Sequence, residues 1–134
     1  MERKYEKYIH KLQSSSLDSV PFHKNMEGIT RLSVADFPFH LAVHKIDISA
    51  SSLRDYVQPH SHEVPEINLI LADKQTLVYR IMIGGEEYVV PSPAVIWIPE
   101  NVPHSANILE GSGHYVCILF EKDYKAKGDD DDTT

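Results

Sequence analysis

From residue 29 onwards, apolar and β-branched residues come in short runs, many of them alternating with polar residues, and Pro, Gly, Asn and Asp cut the runs apart. Successive side chains on a strand point to opposite faces, so this period of two predicts strands and not helices. The runs span 29–34, 41–48, 56–62, 66–71, 76–83, 87–90, 95–98, 104–109 and 115–120. Between 76–83 and 87–90, Gly84-Gly85 supplies the positive φ that a tight hairpin needs. Pro91-Ser92-Pro93, Pro99-Glu100-Asn101 and Glu110-Gly111-Ser112-Gly113 fall between other runs at the short spacing of small barrels. Eight or nine such strands predict an all-β jelly-roll β-barrel.

The two ends break this pattern. Tyr5, Tyr8, Ile9 and Leu12 recur at helical spacing with Lys and Glu opposite, which predicts a short amphipathic N-terminal helix. So short a helix is marginal in water and is expected to dock on the barrel or a second subunit, or else to fray. Ser14-Ser15-Ser16 marks a loop after it, and the segment from Lys127 through Asp129-Asp130-Asp131-Asp132 to Thr134 reads as a solvated tail. The expected organisation is a helix and linker over 1–20, a barrel over 21–124 and an acidic disordered tail over 125–134.

A chain of 134 residues with 42% hydrophobic and 25% charged residues has the make-up of one globular domain. Its core is large enough to fold without disulfides or a structural metal. A net charge of -7 with no basic stripe repels polyanions, which excludes nucleic acid as an expected partner. Cys117 is the only cysteine, so no internal disulfide forms, which suits a reducing compartment. No apolar h-region follows Met1, and no apolar run approaches the roughly 20 residues needed to span a bilayer. A cytoplasmic protein with no membrane partner is expected.

The chemistry concentrates in Pro59-His60-Ser61-His62-Glu63-Val64-Pro65-Glu66. Residues two apart on a strand share a face, so His60 and His62 project together. Pro65 stops that strand, and the turn is expected to return Glu66 on the antiparallel neighbour beside His62. Pro99-Glu100-Asn101-Val102-Pro103-His104 delivers a further imidazole at the start of a later strand. Three nitrogens and one carboxylate oxygen then share one patch.

The spacing His-x-His with Glu four residues after the second His, and later Pro-x-Asn-x-x-His, resembles the two motifs of the cupin family. The resemblance covers roughly residues 56–107, with the Gly84-Gly85 hairpin between the motifs. It implies a cupin-type barrel in which His60, His62, Glu66 and His104 are metal ligands. Asn101 stands where the family's second motif has glycine, and asparagine tolerates the left-handed backbone that the turn requires. Arg54 and Asp55 stand near the place of another family glycine, and only Ala72-Asp73-Lys74 follows Glu66 where a further one is usual. Cupins of this size commonly pair through their outer sheet, which implies a homodimer.

Further residues are assigned by facing. Asn68 follows Glu66 by two and should point inward to meet a ligand; His44 lies on a strand able to line the barrel; Arg80, if inward, suits a substrate carboxylate or phosphate. Glu63 reads as a solvated turn carboxylate and Cys117 as a small core residue, while His10, His23, His40 and His114 match no ligand pattern. Three imidazoles and a carboxylate accept Fe, Mn, Ni, Co, Cu or Zn, so ligand type does not select the metal. With positions left open on it, such a metal implies an enzyme acting on a small oxygen-bearing molecule, by oxygenase or by Lewis-acid isomerase or lyase chemistry, with Glu66 as the candidate base. The alternative is a non-catalytic small-ligand or carbohydrate-binding domain.

Overall fold

The computed structural model describes residues 3–47, 55–121 and 126–128. In chain order its strands are β1 (Gln13–Ser15), β2 (Ile29–Ser33), β3 (His40–Asp47), β4 (His60–His62), β5 (Glu66–Leu71), β6 (Val78–Ile83), β7 (Glu86–Pro91), β8 (Ala94–Ile98), β9 (His104–Glu110), β10 (Ser112–Leu119) and β11 (Ala126–Gly128). They form a six-stranded sheet in the order β1-β2-β3-β10-β5-β8 and a five-stranded sheet in the order β11-β4-β9-β6-β7, and every pairing is antiparallel. No ladder joins the two sheets among the described residues, so the expected barrel takes the form of two sheets that share one core. Ile46, Ile70 and Tyr115 from the larger sheet meet Tyr79, Ile81 and Ile108 from the smaller one in that core. Burying these large side chains on both inner faces is the main force holding the sheets together.

Alternation holds where the sequence predicts it. Glu66, Asn68 and Ile70 of β5 are buried, whereas Ile67, Leu69 and Leu71 are not. Gly84 and Gly85 have φ of 60° and 90° and close the β6–β7 hairpin, whose register pairs Ile83 with Glu86.

Four expectations are corrected. The N-terminal helix is only a single 3-10 turn, Glu6–Tyr8. Its apolar residues are exposed, with Ile9 at 81%, so no core face rewards helix nucleation and the spacing alone does not sustain a helix. Within the expected loop, Gln13–Ser15 pairs with β2 as an edge strand. Within the expected tail, Ala126–Gly128 pairs with β4, while 129–134 lie outside the described residues.

The run expected at 56–62 becomes a strand only at His60, because a side chain has taken the backbone groups before it. Asn107 of β9 is buried, and its Oδ1 accepts from Tyr56 N at 2.8 Å and Val57 N at 2.9 Å. Its Nδ2 donates to Val57 O at 3.0 Å. One amide thus ties the approach to β4 onto the smaller sheet. Asn107→Leu leaves three buried backbone groups without partners, and thermal or urea unfolding is expected to show a loss of about 3 kcal/mol or more.

Candidate metal centre

His60 and His62 lie on the same face of β4 and are buried, with half-buried Ser61 between them turned the other way. His104 opens β9 directly opposite His60 in the β4–β9 register. The three rings therefore meet, with centroids 4.7 to 5.2 Å apart, and one ligating atom from each lies within 4.8 Å of the others. Carbonyl oxygens only accept, so the Nδ1 atoms of His60 and His104 donate to Gln58 O at 2.7 Å and Val102 O at 2.9 Å. That bond selects the tautomer and leaves the lone pair on Nε2, the usual arrangement of a metal-binding imidazole. Asn101 sits in the left-handed region at φ 64° and donates its N–H to His62 O at 2.6 Å, so the asparagine performs the turn expected of it.

Glu66 reaches the same place from a different direction than expected. It is not on the strand beside His62: β5 lies between β10 and β8 in the larger sheet, whereas β4 belongs to the smaller one. Residues 63–65 carry the chain from one sheet to the other, so the carboxylate faces the imidazoles across the gap. Its Oε1 lies 3.0 Å from His104 Nε2 and 3.5 Å from His62 Nε2. Its Oε2 accepts from Asn68 Nδ2 at 2.8 Å and from the Cys117 thiol at 3.3 Å. Burial pushes the Glu66 carboxyl up, but the hydrogen bond and charge of His104, with Asn68 and His62, outweigh it and hold the pKa at about 2. Burial above all lowers His60 to about 3, so this imidazole is neutral and able to ligate.

The donor set fits a metal ion. Glu66 Oε1 is buried and faces two imidazole Nε2 atoms. Nδ1 of His104 already donates to Val102 O, so the 3.0 Å contact between its Nε2 and Glu66 Oε1 is satisfied either by a proton on Nε2 or by a metal ion held by both atoms. Bonds of about 2.1 Å to one ion would place adjacent ligands roughly 3.0–3.4 Å apart. The observed separations of 3.0 and 3.5 Å match that spacing closely.

A cavity of about 40 Å³ is lined by His60, His62, His104 and Glu66 together with Arg31, His40 and His44. Since a water needs about 10–15 Å³ on this scale, the cavity takes roughly three water-sized groups. His44 is buried there as expected, its ring 5.8 Å from Tyr115 and its Nδ1 3.2 Å from the Tyr56 hydroxyl, which in turn lies 2.9 Å from the Tyr79 hydroxyl. Asn68 does face inward but is not part of the cavity wall; it holds Glu66 instead. Arg80 pairs with Asp55 at the protein surface and is likewise absent from the cavity, so the inward facing on which its ligand role depended is not met. Glu63 is exposed, as a turn carboxylate should be.

Arg31 and the Cys117 contact with Glu66 are what sequence reasoning missed. The outer face of the larger sheet carries Leu32, Leu41 and Val43, while its inner face carries Arg31, His40, Ala42 and His44. Alternation is visible there, yet apolarity points to the wrong face.

No protein-family model matches the chain, and no curated protein matches it. Solved structures do. The polyketide cyclase RemF from Streptomyces resistomycificus superposes with a TM-score of 0.55 at 16% identity, over 96% of this chain and 85% of that one. A cupin-2 domain from Rhodospirillum rubrum gives 0.54 at 16% identity, over 89% and 74% of the two chains. KdgF from a Halomonas species gives 0.52 at 20% identity, over 83% and 97%. Two facing antiparallel sheets, an imidazole cluster on the smaller one and these likenesses lead to one conclusion: the chain is a small domain of the cupin fold.

Proposed function

We propose that His60, His62, His104 and Glu66 hold one divalent transition metal ion and that the protein is an enzyme acting on a small oxygen-bearing molecule. The observation that carries this reading is Glu66 Oε1, buried 3.0 Å from one imidazole Nε2 and 3.5 Å from another. When bound, such an ion supplies Lewis-acid polarisation of ligand oxygens or, if iron, electrons for dioxygen. The chain's own groups do the rest. Carbonyls of Gln58 and Val102 orient two imidazoles, and Asn68 with Cys117 orients the carboxylate. Glu66 is anionic at neutral pH; its Oε1 would hold the ion and, only where released from it, would take up a proton from a substrate hydroxyl.

Metal analysis of the protein as purified, followed by an oxygen electrode and product assay with Fe, Mn, Co, Ni, Cu and Zn forms, tests this. Close to one ion per chain and turnover in at least one form are expected. Bound ligand without turnover in every form would make the protein a binding domain instead.

The outer face of the six-stranded sheet bears on assembly. Trp97 is 55% exposed and Val95 67% exposed, and Trp97 meets Phe120, which meets Phe39. Exposed apolar and aromatic side chains grouped on one sheet face are suited to burial against a partner surface. We assign this face to a second copy of the chain. Sedimentation equilibrium is expected to give a dimer at micromolar concentration and a monomer for Trp97→Lys; a monomeric parent protein removes the assignment.

A further inference from the structure

Two further histidines, His23 and His44, line the same cavity without belonging to the imidazole cluster. Their ring centroids lie 6.1 Å apart at an interplanar angle of 80°, and the His23 ring is also 5.7 Å from that of His60. His23 thus neighbours both His44 and the cluster. Its backbone is fixed from both sides: His23 forms a bridge with Val57, Lys24 N donates to Tyr56 O at 2.8 Å and Gln58 N donates to Phe22 O at 2.9 Å.

The two rings carry their protons on opposite atoms. His23 Nδ1 lies 2.8 Å from Pro21 O, and a carbonyl only accepts, so Nδ1 holds the proton and Nε2 the lone pair. His44 is set the other way by a pair of tyrosines. Its Nδ1 is 3.2 Å from the Tyr56 hydroxyl, which is 2.9 Å from the Tyr79 hydroxyl. Tyr79 is fully buried, with Tyr56 as its hydrogen-bond partner among the described residues. A buried hydroxyl proton without an acceptor is costly. Only one direction along the chain gives every proton an acceptor: Tyr79 donates to Tyr56, and Tyr56 donates to His44 Nδ1. The proton of His44 is then on Nε2. Burial lowers both rings from the ordinary 6.5, so both are neutral near pH 7.

Distance decides whether this donor and this acceptor satisfy each other. A ring nitrogen lies about 1.2 Å from its centroid and a hydrogen bond spans about 2.9 Å, so directly bonded rings have centroids at most roughly 5.3 Å apart. At 6.1 Å the two rings are beyond that reach. One oxygen bonded to both allows centroids up to roughly 8 Å apart. We propose that His23 and His44 form a hydroxyl-reading pair, in which one ligand hydroxyl accepts from His44 Nε2 and donates to His23 Nε2, with Tyr56 and Tyr79 as the positioning residues that set the His44 proton. A carbonyl or carboxylate oxygen only accepts and an ammonium only donates, whereas a hydroxyl does both through one atom. The ligand class is therefore a small alcohol or hydroxycarbonyl compound. This deepens the proposed reading, on which it rests for the ligand's entry into this cavity and not for the metal.

Proton–nitrogen spectra of the histidine rings in the full chain test it, recorded during titration with hydroxyacetone and with butanone, each with and without zinc. His44 is expected as the Nε2–H tautomer and His23 as the Nδ1–H tautomer. Tyr56→Phe is expected to mix the tautomers of His44 and to leave those of His23 alone, a change that a merely structural tyrosine does not produce. Hydroxyacetone is expected to shift the nitrogen signals of both rings and to bind roughly tenfold or more tightly than butanone, which carries a methyl in place of the hydroxyl. His23→Phe is expected to reduce that preference roughly 3- to 10-fold. The opposite tautomer on either ring in the parent chain overturns the proposal, and that outcome needs no variant to fold. Equal binding of the two ketones, no binding of hydroxyacetone, or binding that leaves both rings' signals in place overturns it as well. Zinc uptake without any hydroxyl preference removes the pair and keeps the metal reading; a hydroxyl preference in a chain that takes up no zinc does the reverse.

Discussion

His104→Ala is expected to weaken binding of a divalent transition metal by about 100-fold or more, because removing even the groups that orient ligands costs roughly 10- to 100-fold. His104 is the informative position. It opposes His60 across the β4–β9 ladder, its Nε2 approaches Glu66 Oε1 to 3.0 Å, and its Nδ1 is pinned by Val102 O. No other described residue bridges the imidazole cluster and the carboxylate so closely. Asn68→Ala removes one hydrogen bond from Glu66 Oε2 and leaves the Cys117 thiol in place, so a smaller loss of about tenfold is expected. Cobalt(II) titration followed by visible absorption gives both affinities. Equal affinity in the parent chain and in His104→Ala would dismiss the site as a metal centre.

The metal-free protein is expected to lose stability steeply as pH falls from about 6.5 towards 4. The cause is histidine burial. His44, 4% exposed between Tyr56 and Tyr115, is lowered from 6.5 to about 3, chiefly because its surroundings cannot solvate an imidazolium. In the unfolded chain the same ring protonates near 6.5, so below that pH unfolding takes up a proton that the folded state refuses. Stability is then lost by about 1.4 kcal/mol per pH unit for each such ring. For His44 the loss reaches roughly 4–5 kcal/mol by the time its folded pKa is approached, a large part of the 5–15 kcal/mol typical of a domain. Burial likewise lowers His40 to about 4, and this steepens the fall. Glu66 acts in a lower window. Its carboxyl is held at about 2 against 4.5 unfolded, so its contribution is intact above 4.5 and disappears as pH falls through 2. Calorimetric melting between pH 7.5 and 4.5 should show the histidine slope, and His44→Gln, which has nothing to protonate there, should flatten it. An unchanged slope in that variant would mean that other groups govern the acid limb.

Most of the strands and the set of clustered residues were legible from local signals. Period-two alternation marked β5 at 66–71 with the same bounds that the structure shows, and Gly84-Gly85 marked the β6–β7 hairpin. His60 and His62 had to share a face wherever their strand ran, since the two-residue repeat is set by backbone stereochemistry. Asn101 was legible as a left-handed turn position for the same local reason. Boundaries failed where a distant side chain competed for backbone groups: Asn107 takes the N–H groups of Tyr56 and Val57 and delays β4 to His60. The N-terminal spacing failed because a helix of that length depends on a docking face, and Tyr5, Tyr8 and Ile9 find none among the described residues.

What the sequence determined by itself was therefore the strand content, the turns and the pairing of His60 with His62, each dictated by residues within a few positions of one another. Tertiary structure alone decided that Glu66 faces the imidazoles from the opposite sheet, that Asn68 serves the carboxylate and not the cavity, and that Arg31 turns inward while Arg80 stays at the surface with Asp55. For Arg31 the physical reason is the apolar outer face of the larger sheet. With hydrophobic side chains on both faces, alternation shows that a strand has two faces but not which one is inside, and only the packing of the two sheets answers that.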